Sequence, residues 1–162
     1  MDYTWMDDTP VGRLLLAGSD DVLQLLLFDS ADSRDRHTVN LTDWQASDHV
    51  FKEHRRQLRA YFNKDLKQFD APVAGQGTAF QQQVWSALCE VPYGETATYG
   101  DIAKAIGRPT ASRAVGMANG RNPISIIVPC HRIIGASGKL VGYGGGLAAK
   151  TCLLSLEGIV LP

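Results

Sequence analysis

Thr98-Tyr99-Gly100-Asp101-Ile102-Ala103-Lys104-Ala105-Ile106-Gly107-Arg108-Pro109-Thr110 is the stretch on which the fold turns. Thr98-x-x-Asp101 is a capping-box pattern, in which two side chains three residues apart satisfy each other's exposed backbone N–H groups and start a helix. Ile102, Ala103 and Ile106 then fall on one inward face. Gly107-Arg108-Pro109 makes a turn, and a second helix is expected from Thr110 to about Asn119, with Gly120 as a favoured stop. Two short helices joined by a Gly-containing turn describe a helix-turn-helix. Its second helix, Ala111-Ser112-Arg113-Ala114-Val115-Gly116-Met117-Ala118, carries almost no side chain able to read base edges, a task for Asn, Gln and several Arg. Small residues let a helix backbone approach a minor groove closely and leave Arg113 to reach into a duplex. They would equally suit packing against a neighbouring helix.

Downstream lies Asn122-Pro123-Ile124-Ser125-Ile126-Ile127-Val128-Pro129-Cys130-His131-Arg132-Ile133-Ile134. The branched aliphatic run Ile126–Val128 reads as a buried strand, which Pro129 ends because it has no N–H to donate. A thiol beside basic groups can have a lowered pKa and become nucleophilic, although a Cys-His pair also suits an inert, buried thiol. Gly135–Gly138 turns the chain, Lys139-Leu140-Val141 reads as a short returning strand, and Gly142–Gly146 as a loop. No P-loop lysine follows those glycines. A last helix over Leu147–Leu156 is expected to bury Ala149, Cys152, Leu153 and Leu156. Glu157 then sits at a helix C-terminus, where a carboxylate opposes the dipole by up to about 1 kcal/mol. A local rule broken without evident gain is where function tends to sit, and a carboxylate orienting a histidine beside a cysteine is the logic of an activated nucleophile.

Upstream, Thr78-x-x-Gln81 starts a helix with Phe80, Val84, Trp85 and Leu88 as its buried stripe. Pro92-Tyr93-Gly94 stops it, and Cys89 reads as a small core residue. Asp70–Gly77, rich in small residues, Pro and Gly, reads as a linker between domains at 1–75 and 76–162. The N-terminal part begins with strands at Asp2–Met6, Gly12–Gly18 and Val22–Phe28, the last two joined by a hairpin turn at Ser19-Asp20-Asp21. Residues 29–45 are polar and aperiodic and read as loop. Ser47 can cap a helix to about Asn63, with Val50, Phe51, His54, Leu58, Tyr61 and Phe62 on one face. His54 there reads as a packed core residue, and Arg55, Arg56 and Arg59 as a solvated face.

The 162 residues are 44% hydrophobic, enough for a real core. No apolar run is long enough to cross a membrane as a helix, and the acidic Met1–Trp5 start lacks the order of a signal peptide. Cys89, Cys130 and Cys152 are odd in number and widely spaced, which fits neither a disulfide framework nor a zinc site and suits a reducing cytoplasm. Residues 1–75 hold nine Lys/Arg against thirteen Asp/Glu, net −4. Residues 76–162 hold seven against four, net +3, which points to a polyanion partner for the second half.

Tyr99, Arg113, the Asn122–Arg132 stretch, Tyr143 among its glycines and Leu156-Glu157-Gly158, in this order and spacing, closely resemble the methylated-DNA–protein-cysteine methyltransferases, the O6-alkylguanine-DNA alkyltransferases. The resemblance is detailed over residues 78–158. It implies an α+β fold: a small antiparallel sheet with a helix, ribonuclease-H-like, then a mainly helical, winged-helix-like domain carrying the helix-turn-helix. It implies double-stranded DNA containing O6-alkylguanine as partner, with O4-alkylthymine as a further substrate. Cys130 is implied as the alkyl acceptor, His131 as its base through a water, and Glu157 as the group orienting His131. Tyr99 is implied as donor to the departing base, and Asn122 as the brace of the turn. Arg113 would fill the gap left by a flipped nucleotide, with Thr110, Ala111, Ser112, Ala114, Gly116 and Arg121 along the DNA. Val141, Gly142, Tyr143, Gly144 and Gly145 would line the pocket. Gly142 and Gly144 replace larger or polar residues of many relatives, which implies room for bulkier alkyl groups. The expected protein is a cytoplasmic monomer that acts once, without cofactor or metal. Two rivals use the same residues: a lesion-binding protein without transfer, and a regulator with Cys130 as redox sensor.

Overall fold

The computed structural model describes residues 1–138, 140, 143 and 145–160. Its first sheet has the order β3-β2-β1-β4, with β1 at Asp2–Met6, β2 at Leu14–Ser19, β3 at Val22–Phe28 and β4 at Gln45–Ala46. β1, β2 and β3 are antiparallel neighbours, and the two-residue β4 joins β1 in parallel. The hairpin forms where expected, with Asp20 and Asp21 both at positive φ, 53° and 56°, a conformation that Asp tolerates better than most residues. β2 starts at Leu14 rather than Gly12, because Gly12 closes a turn by donating its N–H to Thr9 O.

Two N-terminal expectations need correction. Residues 29–45 are not all loop: Ser30 caps a short helix, α1 (Ala31–Arg36), by accepting from Ser33 N. The next helix, α2 (Lys52–Phe62), does not start at Ser47, whose hydroxyl accepts from His49 N in a local turn. Phe51 precedes α2 in a left-handed conformation and is buried. Core burial, not a polar cap, sets where α2 begins. His54 is a core residue as read, its Nε2 bonded to Pro72 O at 2.6 Å.

The second half supplies α3 (Ala79–Cys89), β5 (Ala97–Thr98), α4 (Tyr99–Ala105), α5 (Ser112–Gly120), a 3₁₀ turn at Cys130–Arg132, β6 (Ile133–Ile134) and α6 (Leu147–Leu156). Both capping boxes form, Thr78 with Gln81 and Thr98 with Asp101. α5 begins two residues later than expected and has no side-chain cap. Cys89 is exposed rather than core, since the buried stripe Val84, Trp85, Leu88 has rotated past it. On α6, Lys150 and Leu154 are buried with Ala149 and Leu153, while Cys152 and Leu156 are only half-buried. The strand expected at 139–141 falls largely outside the described residues; Leu140, between its ends, is not in a strand.

Ile126–Val128 is also not a strand. The Asn122 side chain donates to Val128 O (2.8 Å) and Ile124 O (3.3 Å) and accepts from Ile124 N (3.0 Å), taking the place of a ladder. Val128 N closes back onto Ile124 O, and Ile126 is held at φ 72°. A β-branched residue there is strained, at a cost of about 1–3 kcal/mol.

One hydrophobic core runs through both halves, from Leu14, Leu16, Leu26 and Phe28 on the sheet through Leu58 and Tyr61 to Trp85, Leu88, Val115 and Leu153. The edge of β3 is covered by the other half: Leu26 N donates to Pro123 O (2.9 Å) and Ser125 N to Leu26 O (3.0 Å). The linker lies beside it, with Leu23 N on Pro72 O and Ala74 N on Leu23 O. The N-terminal sheet thus grips the segment that leads into Cys130.

Candidate active site

Cys130 opens the 3₁₀ turn directly after Pro129 and is 4% exposed. Burial raises its pKa, and the neighbouring Asn122 and Tyr143 polar groups and the charge of Lys150 offset only part of this. Of the two readings left open by the sequence, a thiol lowered by basic neighbours and a buried thiol, the second describes the resting group: burial outweighs the groups that lower its pKa, and it stays a neutral thiol.

His131 is fully buried, and its Nε2 lies 2.7 Å from Glu157 Oε2. Burial lowers its pKa, against the raising influence of Glu157. Its Nδ1 is buried and finds no hydrogen-bond partner among the described residues. An ionised carboxylate only accepts, so Nε2 carries the ring proton and Nδ1 keeps its lone pair.

Glu157 follows the last residue of α6, as expected, and is buried. What offsets the helix dipole is a set of donors: Tyr61 Oη (2.6 Å) and Arg132 Nη2 (3.1 Å) on Oε2, with Arg132 Nε (2.9 Å) and Gly94 N (3.2 Å) on Oε1. Burial alone would push this carboxyl up, but His131, Arg132 and Tyr61 hold it at about 2. Arg132 completes its own bonding on Val91 O (2.7 Å). Neither Arg132 nor Tyr61 was assigned to the site from sequence. Arg132 was legible as the residue after Cys-His, whereas nothing in the spacing of α2 links Tyr61 to residue 157.

A cavity of about 30 Å³ opens beside Cys130, lined by Asn119, Asn122, Ser125, Phe28 and Tyr143 among others. It holds a water or two, not a base. The Tyr143 ring stands edge-on to Phe28 at 5.5 Å between centroids. Its hydroxyl is buried without a well-formed hydrogen bond, close enough to Cys130 for the sulfur to help raise its pKa. Gly145 must stay small, since a Cβ there would lie 2.7 Å from the Phe28 ring. Val141, Gly142 and Gly144 lie outside the described residues. A larger groove of about 440 Å³ runs behind Pro129 between Lys67, Cys89 and Tyr93, but Cys130 is not on its wall.

Tyr99, the first residue of α4, is half-buried, and burial together with Cys130 raises its pKa, so it keeps its proton. Its ring packs on α5, 3.7 Å from where a Gly116 Cβ would be. On α5 and its flanks Thr110, Arg113, Ala114 and Arg121 are exposed, and Ala111, Ser112 and Gly116 are half-buried. Met117 projects from the same helix, 63% exposed, and was not singled out from sequence. Of the two uses left open for the small residues, packing is seen at Ala118, buried beside Val115, while Ala114 stands exposed on the outer face.

Comparison with known proteins places the whole chain. Residues 79–159 match the 6-O-methylguanine DNA methyltransferase DNA binding domain, and residues 1–74 match the ribonuclease-like domain of the same family. A methylated-DNA–protein-cysteine methyltransferase of Methanosarcina acetivorans is 53% identical over 157 residues, 96% of this chain and 98% of the relative. One of Mycobacterium tuberculosis is 52% identical over 150 residues, 93% of this chain and 88% of the relative. The crystal structure of Mycobacterium tuberculosis OGT in complex with DNA superposes with a TM-score of 0.88 at 50% identity, covering 97% of this chain and 92% of that one. The O6-methylguanine-DNA methyltransferase of Pyrococcus kodakaraensis does so at 0.65 and 28% identity, covering 98% and 99%. With both domains matched in order and identity above half over nearly its whole length, the chain belongs to the 6-O-methylguanine DNA methyltransferase family.

Proposed function

We propose that this protein repairs O6-alkylguanine in double-stranded DNA by moving the alkyl group onto Cys130. One observation carries the reading: a buried, neutral thiol beside a histidine whose Nε2 is committed to a carboxylate and whose Nδ1 is free to take a proton. Proton transfer and attack are then coupled. Cys130 gives its proton through a water to His131 Nδ1 as sulfur bonds the alkyl carbon, and the C–O6 electron pair leaves with the guanine. Tyr99, held protonated, donates to the departing base and stabilises it. Asn122 keeps the turn that aims the sulfur.

The target atom is inaccessible within a stacked duplex, so the nucleotide turns out of the helix. The cavity at Cys130 is too small for a base, so its walls part as the base enters. Arg113, exposed on α5, takes the place of the extruded base, and Thr110, Ala111, Ser112, Ala114, Gly116 and Arg121 follow the backbone. Val141, Gly142, Tyr143, Gly144 and Gly145 surround the flipped base. The thioether is stable and no group here reverses it, so each chain acts once. O4-alkylthymine is a second substrate of the same displacement. The protein works as a cytoplasmic monomer, with residues 1–75 as support and 76–162 carrying acceptor and DNA face.

Intact mass after incubation with a duplex containing O6-methylguanine tests the reading. One added CH₂ is expected on the parent and none on Cys130→Ala. Cys89→Ala and Cys152→Ala should behave as the parent. No gain in the parent, or a gain in Cys130→Ala, would sink it.

A further inference from the structure

We propose that Tyr61, from the N-terminal half, is a positioning residue of the acceptor site: its hydroxyl holds Glu157 so that His131 presents Nδ1 to Cys130. The bonds of Tyr61 and His131 to Glu157 are geometry, and that Nδ1 serves Cys130 rests on the functional reading above.

Tyr61 lies on α2, 96 positions from Glu157, and is fully buried. Its hydroxyl donates to Glu157 Oε2, the same oxygen that His131 Nε2 contacts. The direction is fixed, because burial and the Glu157 charge both raise the phenol pKa and keep the proton on oxygen. Aromatic rings hold it there: Phe69 lies at 5.4 Å, Phe62 at 5.6 Å and Tyr93 at 6.1 Å between centroids. A core tyrosine needs one partner for its hydroxyl. This one takes the Glu157 oxygen that His131 also contacts.

Two effects follow. Tyr61 adds to the grip of Arg132 and Gly94 on the carboxylate, with the shortest bond on Oε2, so Oε2 stays in line with Nε2 and the Nε2–H tautomer persists. It also withdraws charge from Oε2, which weakens the pull on a protonated ring. His131 therefore stays neutral at rest and releases the proton it has taken more readily. The N-terminal half thus acts on the chemistry and does more than support it.

The other ionisable groups around this pair are Arg132 and Cys130 on the 3₁₀ turn, Tyr93 after α3, Tyr143 before α6 and Lys150 on α6. None of them changes in Tyr61→Phe, which removes one oxygen and keeps the ring. With a donor lost, Oε2 regains charge and the protonated ring is better held, so the His131 pKa rises, by about half to one pH unit. The ring must be neutral to accept a proton, so the acid limb of the transfer rate moves to higher pH by the same amount. Phe69→Leu is the control: it loosens the packing of Tyr61 without touching the hydroxyl.

The experiment is an NMR titration of the His131 ring nitrogens in the full chain, parent, Tyr61→Phe and Phe69→Leu, alongside single-turnover rates on a duplex containing O6-methylguanine across the same pH range. The expected result is an upward shift of both the His131 titration and the acid limb in Tyr61→Phe only, with Phe69→Leu losing melting temperature alone. A parent-like His131 titration in Tyr61→Phe overturns the proposal, whatever its melting temperature. So does an equal shift in Phe69→Leu, which would reduce Tyr61 to packing. If the parent takes up no methyl group while the His131 titration still moves in Tyr61→Phe, the functional reading fails and the positioning role stands.

Discussion

Glu157→Gln keeps the shape of the side chain and removes its charge. In the parent, five donors converge on this carboxylate, two of them from the buried Arg132 guanidinium. The amide leaves Arg132 with no counter-charge and turns an NH₂ toward donors that need an acceptor. Removing one partner of a buried pair costs about 3–5 kcal/mol. For a chain of this length that is a fall of roughly 6–20 °C in melting temperature.

The pH dependence gives a sharper check. The folded Glu157 pKa is depressed, from the ordinary 4.5 of a glutamate to about 2, so its contribution is fully present above the unfolded value and is lost as pH falls through the folded one. It amounts to about 3 kcal/mol at neutral pH and less than half of that near pH 3. Thermal unfolding by circular dichroism at the two pH values should therefore show the gap between parent and Glu157→Gln narrowing by about 2 kcal/mol in acid. Transfer should be strongly slowed at neutral pH as well. A gap that is the same at both pH values, or below about 1 kcal/mol at neutral pH, would mean that Glu157 is not paired as described.

Arg113→Ala should slow repair within a duplex far more than reaction with free O6-alkylguanine, because a free base incurs no extrusion cost of a few kcal/mol; equal losses on both would remove it from that role. Tyr99→Phe should slow both substrates alike, since a leaving-group donor acts in the chemical step whatever carries the alkyl group. Asn122→Ala should destabilise the fold by about 2–4 kcal/mol, as three hydrogen bonds are lost and buried groups are left unmatched. It should also release the strained Ile126, so a denaturant midpoint close to the parent's would refute the brace.

Sequence alone determined the local devices here, because each depends on neighbours in the chain. Both capping boxes, the Asp20-Asp21 turn, the first helix of the pair and the span of α6 form where short-range patterns put them, and the second helix starts two residues late. So does Cys130 next to His131, and the family resemblance rested on that order. Tertiary structure decided whatever depends on partners far along the chain. Apolar residues at 126–128 looked like a strand, but the Asn122 side chain satisfies the backbone there, and no periodicity registers a single amide. Ser47 looked like a cap until Phe51 was drawn into the core. The Cys-His pair left a lowered thiol pKa and a buried thiol both open, and burial, invisible in a list of residues, raises the pKa. The carboxylate that seemed misplaced at a helix end is held by a tyrosine 96 residues away, and only the closed core brings the two within 2.6 Å.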